Sequence, residues 1–348
     1  MDEHVRQQPG RVLGDVFYPK FQTLPFLFKV LSINKSLSLQ AHPDQVLAKQ
    51  LHLSRPDLYK DPNHKPEIAL AITPMQALCG FRPEQQIVYH LQTVPELKKV
   101  IGDNLVEKYI SIVGSANSTP QQRKDALKYL FHGLMTSNTE LLKSHLPSLL
   151  HRIQHKHPKT SFDEVVLRTA AEFPDDIGLL GMFLMNLVEL SPGEAIFLAP
   201  NEPHAYLRGD CVELMATSDN VVRAGLTPKY KDVDTLVSML TYQTGPPQLY
   251  LGSPTLTPQG VTIREYSPPV IEFKVLVYEV PAKVVFRCEG SMGPSIWLVM
   301  EGEGSISTGG TSIGLSQGAI LFTYARTEVT IKAETPLKVY QATTNGKS

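Results

Sequence analysis

From Glu84 to about Phe173 the apolar residues recur with a helical period, whereas the residues on both sides carry short apolar runs broken by glycine and proline. A strand cannot absorb helices within itself. The helices must therefore be inserted between strands of a β-module, or cap it. Leu127, Leu130, Phe131, Leu134 and Met135 follow the i, i+3, i+4, i+7, i+8 rule, with Thr119-Pro120 ahead of them as N-cap and first helical residue. Leu142, Leu146, Leu149, Leu150 and Ile153 form a second stripe, and Pro147 inside it predicts that this helix starts or kinks there. Val165, Val166, Thr169, Ala170 and Phe173 predict a third helix. These stripes are packing surfaces and carry no chemistry.

Residues 25–42 read as two extended runs around Asn34-Lys35. The second run alternates: Leu37, Leu39 and Ala41 share one face, Ser38, Gln40 and His42 the other. A polar face of this kind meets either bulk water or a polar cavity. Strand signals return after Pro174, with Pro-Gly and Arg208-Gly209-Asp210 expected as turns, and a third region begins near Pro268. Ser191-Pro-Gly193-Glu-Ala-Ile-Phe-Leu198 is echoed by Ser316-Gln-Gly318-Ala-Ile-Leu-Phe322, which points to two related β-modules.

The bulk figures exclude several function classes. With 348 residues, 42% of them apolar, the chain can bury a large core, and a net charge of -1 gives no field for nucleic acid. No apolar run approaches the roughly 20 residues of a membrane span, and the N-terminus lacks a hydrophobic signal core, so a cytoplasmic protein is expected. Cys79, Cys211 and Cys288 stand alone and read as reduced thiols.

Three segments concentrate metal-capable side chains beside prolines: Gln40-Ala-His42-Pro43, Asn63-His64-Lys65-Pro66-Glu67 and Asn201-Glu-Pro-His204-Ala-Tyr206. Taken singly, each of these residues is more economically a turn or surface residue. Taken together, Gln40, His42, Glu67 and His204 make an acceptable zinc shell of two imidazoles, one carboxylate and one amide oxygen. One carboxylate leaves such a site with net positive charge, which suits a metal that polarises a substrate oxygen. His145, His151, His155 and His157 sit in a charged stretch and read as a solvated helix end. Lys29, Lys65, Arg208, Arg223 and Lys229 lie near the candidate ligands. Two readings stay open for them: they serve an anionic substrate such as a phosphate, or they pair with Asp210, Glu213, Asp219 and Asp232.

The stretches LPFLFKVLSI, SLSLQAHPD, NHKPEIALAITPMQALCGFRP and PGEAIFLAPNEPHAYLRGDCVELMATSDNVVRAGLTPK, followed by the β-rich tail, resemble the type I mannose-6-phosphate isomerases in order from about Leu24 to the C-terminus. The resemblance implies a mainly β fold: a cupin-type β-barrel or jelly roll at 24–83 and 174–240, a helical insertion at 84–173, and a second cupin-like β-domain at 241–348, after a divergent N-terminus at 1–23. It implies one Zn2+ per chain on Gln40, His42, Glu67 and His204. Arg223 matches the catalytic arginine, and Lys65 and Ser38 match positions near the substrate or its phosphate, with Lys29 a similar position. Lys229 would help to hold phosphate, and Lys65, Glu213 and Asp219 are candidates for the proton shuttle. The implied reaction interconverts mannose 6-phosphate and fructose 6-phosphate through an enediol and feeds GDP-mannose supply. The implied partner is a small sugar phosphate, with no nucleic acid or membrane, and the chain is expected to be a monomer.

One departure stands out. Relatives carry several dozen more residues upstream, including Tyr-Ala-Trp-Gly and Glu-Leu-Trp-Met-Gly-Thr-His segments, whereas the only tryptophan here is Trp297. An N-terminally truncated chain that keeps its zinc ligands but loses stability and turnover is the resulting expectation. The competing readings are a cupin dioxygenase or epimerase with a different, His-richer ligand set, and a non-catalytic relative that binds sugar phosphate or a partner.

Overall fold

The computed structural model describes residues 2–346. The first module is built from β1 (Phe26–Ile33), β2 (Leu39–Ala41), β3 (Glu67–Ala71), β4 (Met75–Phe81), β5 (Met185–Leu190), β6 (Ala195–Leu198), β7 (His204–Ala216), β8 (Val222–Gly225) and β9 (Leu249–Tyr250). Among the described residues they form one nine-stranded sheet in the order β5-β4-β7-β3-β6-β9, with β1 also on β7 and β2 bridging β7 and β8.

The 13-residue strand β7 makes this sheet curl. Its first half pairs with β4 and β2, and its second half pairs with β1 and β3. The change of partner falls at Gly209, whose φ of +107° is open only to a residue without a side chain. A Cβ there would also sit 2.5 Å from the Pro74 carbonyl oxygen. Arg208-Gly209-Asp210 is therefore a bend inside a continuous strand and not the expected turn. The left-handed glycine is the feature a turn would also need, but here the flanking residues keep pairing on both sides.

Helices spanning 84–172 occupy the connection between β4 and β5, so the expected mainly β architecture with a helical insertion is what forms. The helix Pro120–Met135 is capped by Thr119 in a capping box with Gln122, and Ser161–Glu172 is capped in the same way by Thr160 with Asp163. The second expected helix does not start at Pro147. It starts at Thr139 under an Asn138 cap and runs through Pro147 to Gln154. Pro147 and Lys143 both lie on the exposed face, where water can take up the carbonyl that the proline leaves without a partner.

The β-sheet is clamped from both sides. Leu39, Ala41, Ala205, Leu207, Val222 and Ala224 belong to the apolar core shared with the helices. Ile68, Leu70, Val212 and Leu214 pack instead against Tyr266, Phe273, Val275, Val277 and Tyr340 of the C-terminal module. That module joins a six-stranded sheet to a four-stranded one around its own core, which includes Trp297, Ile331 and Val339. Two of its strands, Ser253–Leu256 and Thr262–Tyr266, precede the Pro268 expected as its start. Residues near the N-terminus dock on it as well: Val5, Val12, Leu13 and Phe17 pack with Phe322 and Tyr324. The internal repeat is structural. In both copies the residue after glycine closes a turn to serine, Glu194 N to Ser191 O at 3.0 Å and Ala319 N to Ser316 O at 2.9 Å, and Gly193 and Gly318 supply the positive φ.

A polar clasp reinforces the junction of the modules. His64 Nε2 lies 2.6 Å from Glu272 Oε1, in the loop before the C-terminal strand Lys274–Val280. Burial alone would raise the Glu272 carboxyl, but the hydrogen bond and charge of His64 overcome it and leave it below its ordinary 4.5. A carboxyl lowered on folding contributes stability above its unfolded value and loses it as pH falls through the folded one. Glu272→Gln is therefore expected to destabilise the fold by about 1–2 kcal/mol at neutral pH, with the gap to the parent narrowing below pH 4.5. Thermal melts at several pH values check this. Equal midpoints at pH 7 would show that the clasp adds nothing.

Candidate metal centre

In a strand, neighbouring side chains point to opposite faces. Since Leu39, Ala41, Ala205, Leu207, Val222 and Ala224 are committed to the helical core, Gln40, His42, His204, Tyr206 and Arg223 are turned to the inner face of the curl. Ile68, Leu70, Val212 and Leu214 are likewise committed to the C-terminal module, which turns Glu67 and Glu213 inward. The apolar residues thus dictate the polar site.

His42, Glu67 and His204 offer ligand atoms that all lie within 4.8 Å of one another. Each is almost fully buried, at 1%, 2% and 2% exposure. His42 Nε2 is 3.3 Å from Glu67 Oε1, and His204 Nε2 is 3.5 Å from Glu67 Oε2. The other ring nitrogens face backbone carbonyls: His42 Nδ1 lies 2.6 Å from Asn220 O, and His204 Nδ1 lies 3.0 Å from Glu202 O. A carbonyl oxygen only accepts, so each Nδ1 carries a hydrogen and donates it. Burial, the largest influence, pushes the His42 imidazole below its ordinary 6.5 against the pull of Glu67, which favours the ring form with a lone pair on Nε2. Both Nε2 atoms are buried without a hydrogen-bond partner among the described residues. Burial alone would raise the Glu67 carboxyl, but His42, His204 and Lys65 hold it well below its ordinary value. The buried carboxylate and the two Nε2 atoms need positive charge between them, and a divalent cation supplies it without a proton. Two imidazoles fixed by second partners and one ionised carboxylate fit a zinc ion in chemistry and in orientation.

The remaining expected residues gather around this triad to different degrees. By strand register Gln40 lies opposite both His204 and Arg223. Its amide oxygen accepts from Ser38 Oγ at 2.9 Å. Lys65 Nζ is 3.2 Å from Glu67 Oε1, and Lys29 Nζ is 3.2 Å from Glu213 Oε2. Arg223 is half-buried, and no carboxylate within 4.0 Å pairs with it among the described residues. Lys229 and Arg208 are exposed, Lys229 on the loop after β8. Of the four acids named as alternative partners, Glu213 alone takes one of these cations, Lys29, while Lys65 pairs with Glu67. Asp232 binds Arg55 and Tyr59, Asp210 binds Thr73, and Asp219 is exposed with its own N–H bound to Asp61. His151, His155 and His157 are exposed at or after the end of the helix Thr139–Gln154, and His145, within it, is half-buried.

Some of the machinery escaped sequence reading. Tyr206 OH is 3.5 Å from Glu67 Oε2, and its position two residues after His204 was the available signal. Glu213 was only one of three shuttle candidates. Burial, and then the charge of Glu67, raise its carboxyl above the usual range, against the pull of Lys29. The two carbonyls that orient the histidines had no signal at all, because every residue carries one.

No described helix is long and apolar enough to cross a membrane. Two family models match: phosphomannose isomerase type I, catalytic domain, over residues 1–84, and phosphomannose isomerase type I, helical insertion domain, over residues 100–185. The chain is 42% identical to the mannose-6-phosphate isomerase of Cryptococcus neoformans, over 98% of this chain and 84% of that one. It is 42% identical to the Bos taurus mannose-6-phosphate isomerase, over 94% of this chain and 78% of that one. Its fold matches an arginine-to-alanine variant of the phosphomannose isomerase from Salmonella typhimurium with a TM-score of 0.84 at 28% identity, covering 99% of this chain and 85% of that one. A solved mannose 6-phosphate isomerase bound with zinc and yttrium matches with a TM-score of 0.83 at 28% identity, over 99% of this chain and 85% of that one. With such identity sustained along almost its whole length, and with a buried His–Glu–His triad inside the curled sheet, the chain belongs to the type I phosphomannose isomerase family.

Proposed function

We propose that this chain interconverts mannose 6-phosphate and fructose 6-phosphate with one zinc ion, through an enediol, and so supplies mannose units toward GDP-mannose. The observation that carries the reading is the pair of buried, partnerless Nε2 atoms facing the ionised Glu67. Family membership supplies the substrate. His42, Glu67 and His204 would hold the metal, with the Gln40 amide oxygen as the fourth ligand by its register opposite His204. Bound there, zinc would supply a positive charge able to polarise a substrate oxygen.

The chain's own residues do the rest. An aldose–ketose exchange moves a proton between two adjacent carbons and builds negative charge on oxygen between the two steps. Arg223, free of carboxylates and turned to the inner face, suits that developing charge. Lys65 sits against Glu67 at 3.2 Å and can present its ammonium to the same region. Glu213 suits the proton shuttle, because a buried carboxyl raised above its ordinary value takes up a proton more readily and can return it. Ser38, Lys29 and Lys229 would hold the phosphate. Lys229, exposed on a loop, can reach a charged group at the mouth of the site. The solvent-free triad keeps water away from the reactive intermediate. The sugar phosphate is the only partner the reading needs, and the chain works as a monomer in the cytoplasm.

The test is a coupled isomerase assay before and after chelation, with zinc added back. Activity should vanish on chelation and return with zinc. Undiminished turnover in metal-free protein would end the zinc reading, and a zinc-loaded chain inert on mannose 6-phosphate would end the isomerase reading. Arg223→Ala should keep its zinc and its fold while kcat falls by about 10²–10³. Metal analysis beside steady-state kinetics separates the two effects. An Arg223→Ala chain with parental kcat would remove the arginine from the chemistry.

A further inference from the structure

We infer that Asn220 is a positioning residue for the metal centre: one buried side chain that holds together the segment orienting His42 and the segment carrying Lys65 and Glu67. The inference rests on the metal reading above. It concerns a residue that touches neither the metal nor the substrate.

Asn220 is 0% exposed. Its backbone oxygen receives the His42 Nδ1 hydrogen at 2.6 Å, the shorter of the two carbonyl contacts that orient the triad's imidazoles. Its side chain bonds a second loop. Asn220 Nδ2 donates to Asp61 O at 2.6 Å and to Asn63 O at 2.9 Å, with Asp61 Oδ1 at 3.4 Å. Neighbouring bonds tie the same two loops: Ser218 Oγ donates to Asn63 O at 3.0 Å, Asn63 Nδ2 to Thr217 O at 2.9 Å, and Asp219 N to Asp61 Oδ2 at 2.8 Å. Asn63 stands two residues before Lys65 and four before Glu67. Asn220 therefore couples the ring angle of one ligand to the placement of another ligand and of its lysine.

The residue type matters. The site offers mainly acceptor oxygens, so it needs a side chain with two N–H groups on a short stem. Aspartate has the same shape, but it would place a carboxylate oxygen against two carbonyls. Glutamine is one methylene too long for a fully buried site. The Oδ1 atom of Asn220 has no partner among the described residues, so the donors are what hold the side chain in place.

The experiment measures zinc affinity in competition with a chromophoric chelator, together with the visible spectrum of the cobalt-substituted protein and the thermal midpoint of the zinc-free chain. Asn220→Asp is expected to raise the zinc dissociation constant by about 10–100-fold and to shift the cobalt spectrum. Leu146→Ala, which opens a cavity under the helix Thr139–Gln154 of the insertion, controls for general loss of stability and should keep the parental dissociation constant. Where Asn220→Asp does not fold, Asn220→Ser, which retains a short donor, takes its place in the same comparison. A substituted chain that binds zinc within about threefold of the parent overturns the inference, as does an equal loss of affinity in Leu146→Ala. A parent that binds no zinc overturns the metal reading itself, and this inference with it.

Discussion

The alternation of side chains along strands clamped on both outer faces is the constraint from which the site follows. Helices hold Leu39, Ala41, Ala205, Leu207, Val222 and Ala224 on one flank. The C-terminal sheet holds Ile68, Leu70, Val212 and Leu214 on the other. A slip of one residue in β2, β3, β7 or β8 would expose this apolar set and bury the polar one on the outside. The register is thus fixed by the hydrophobic effect, and the ligands inherit it. Gly209 is the complement of this rule. It lets a single strand serve both flanks, so that His204 and Glu213 on the same strand reach one interior.

Within that interior, orientation is settled by backbone oxygens. The carbonyls of Asn220 and Glu202 each take an Nδ1 hydrogen, and both Nε2 lone pairs are then committed to the Glu67 side. A site of the same three side chains without those carbonyls could relax by turning a ring and donating to the carboxylate. Here that escape would set a bare ring nitrogen against the carbonyl and leave two buried acceptors without a donor, at a cost of about 1–3 kcal/mol each. The arrangement therefore stores a preference for a cation.

What sequence reading could reach follows from the range of the interactions involved. The SLSLQAH alternation and the helical stripes are local patterns, and the Thr119 cap is a contact three residues long, so they were legible. The three ligand-bearing segments stood out by composition, although only long-range pairing brings them together. Pro147 left two outcomes open, a start or a helix that runs on through it, because a proline's effect depends on whether its orphaned carbonyl faces water, and burial is not local. Arg208-Gly209-Asp210 misled because a bend and a turn both require a left-handed glycine and differ only in which distant strands pair beside it. The pairing choices of Lys29 and Asp232 were likewise open, since Arg55 and Tyr59, which take Asp232, lie far away in the chain.

The charges inside the curl supply a last argument. Glu67 is matched by Lys65 and Glu213 by Lys29, each at 3.2 Å, while no carboxylate among the described residues pairs with Arg223. The protein alone thus leaves the inner face modestly positive, with its two acids neutralised pairwise. A divalent cation added to the triad would make that excess costly in a buried space, unless an anion entered with it. A dianionic phosphate ester meets that need, and a neutral sugar does not. The same electrostatics that favours a metal in the triad therefore favours a phosphorylated substrate beside it, which joins the metal and the phosphate ester in one physical requirement.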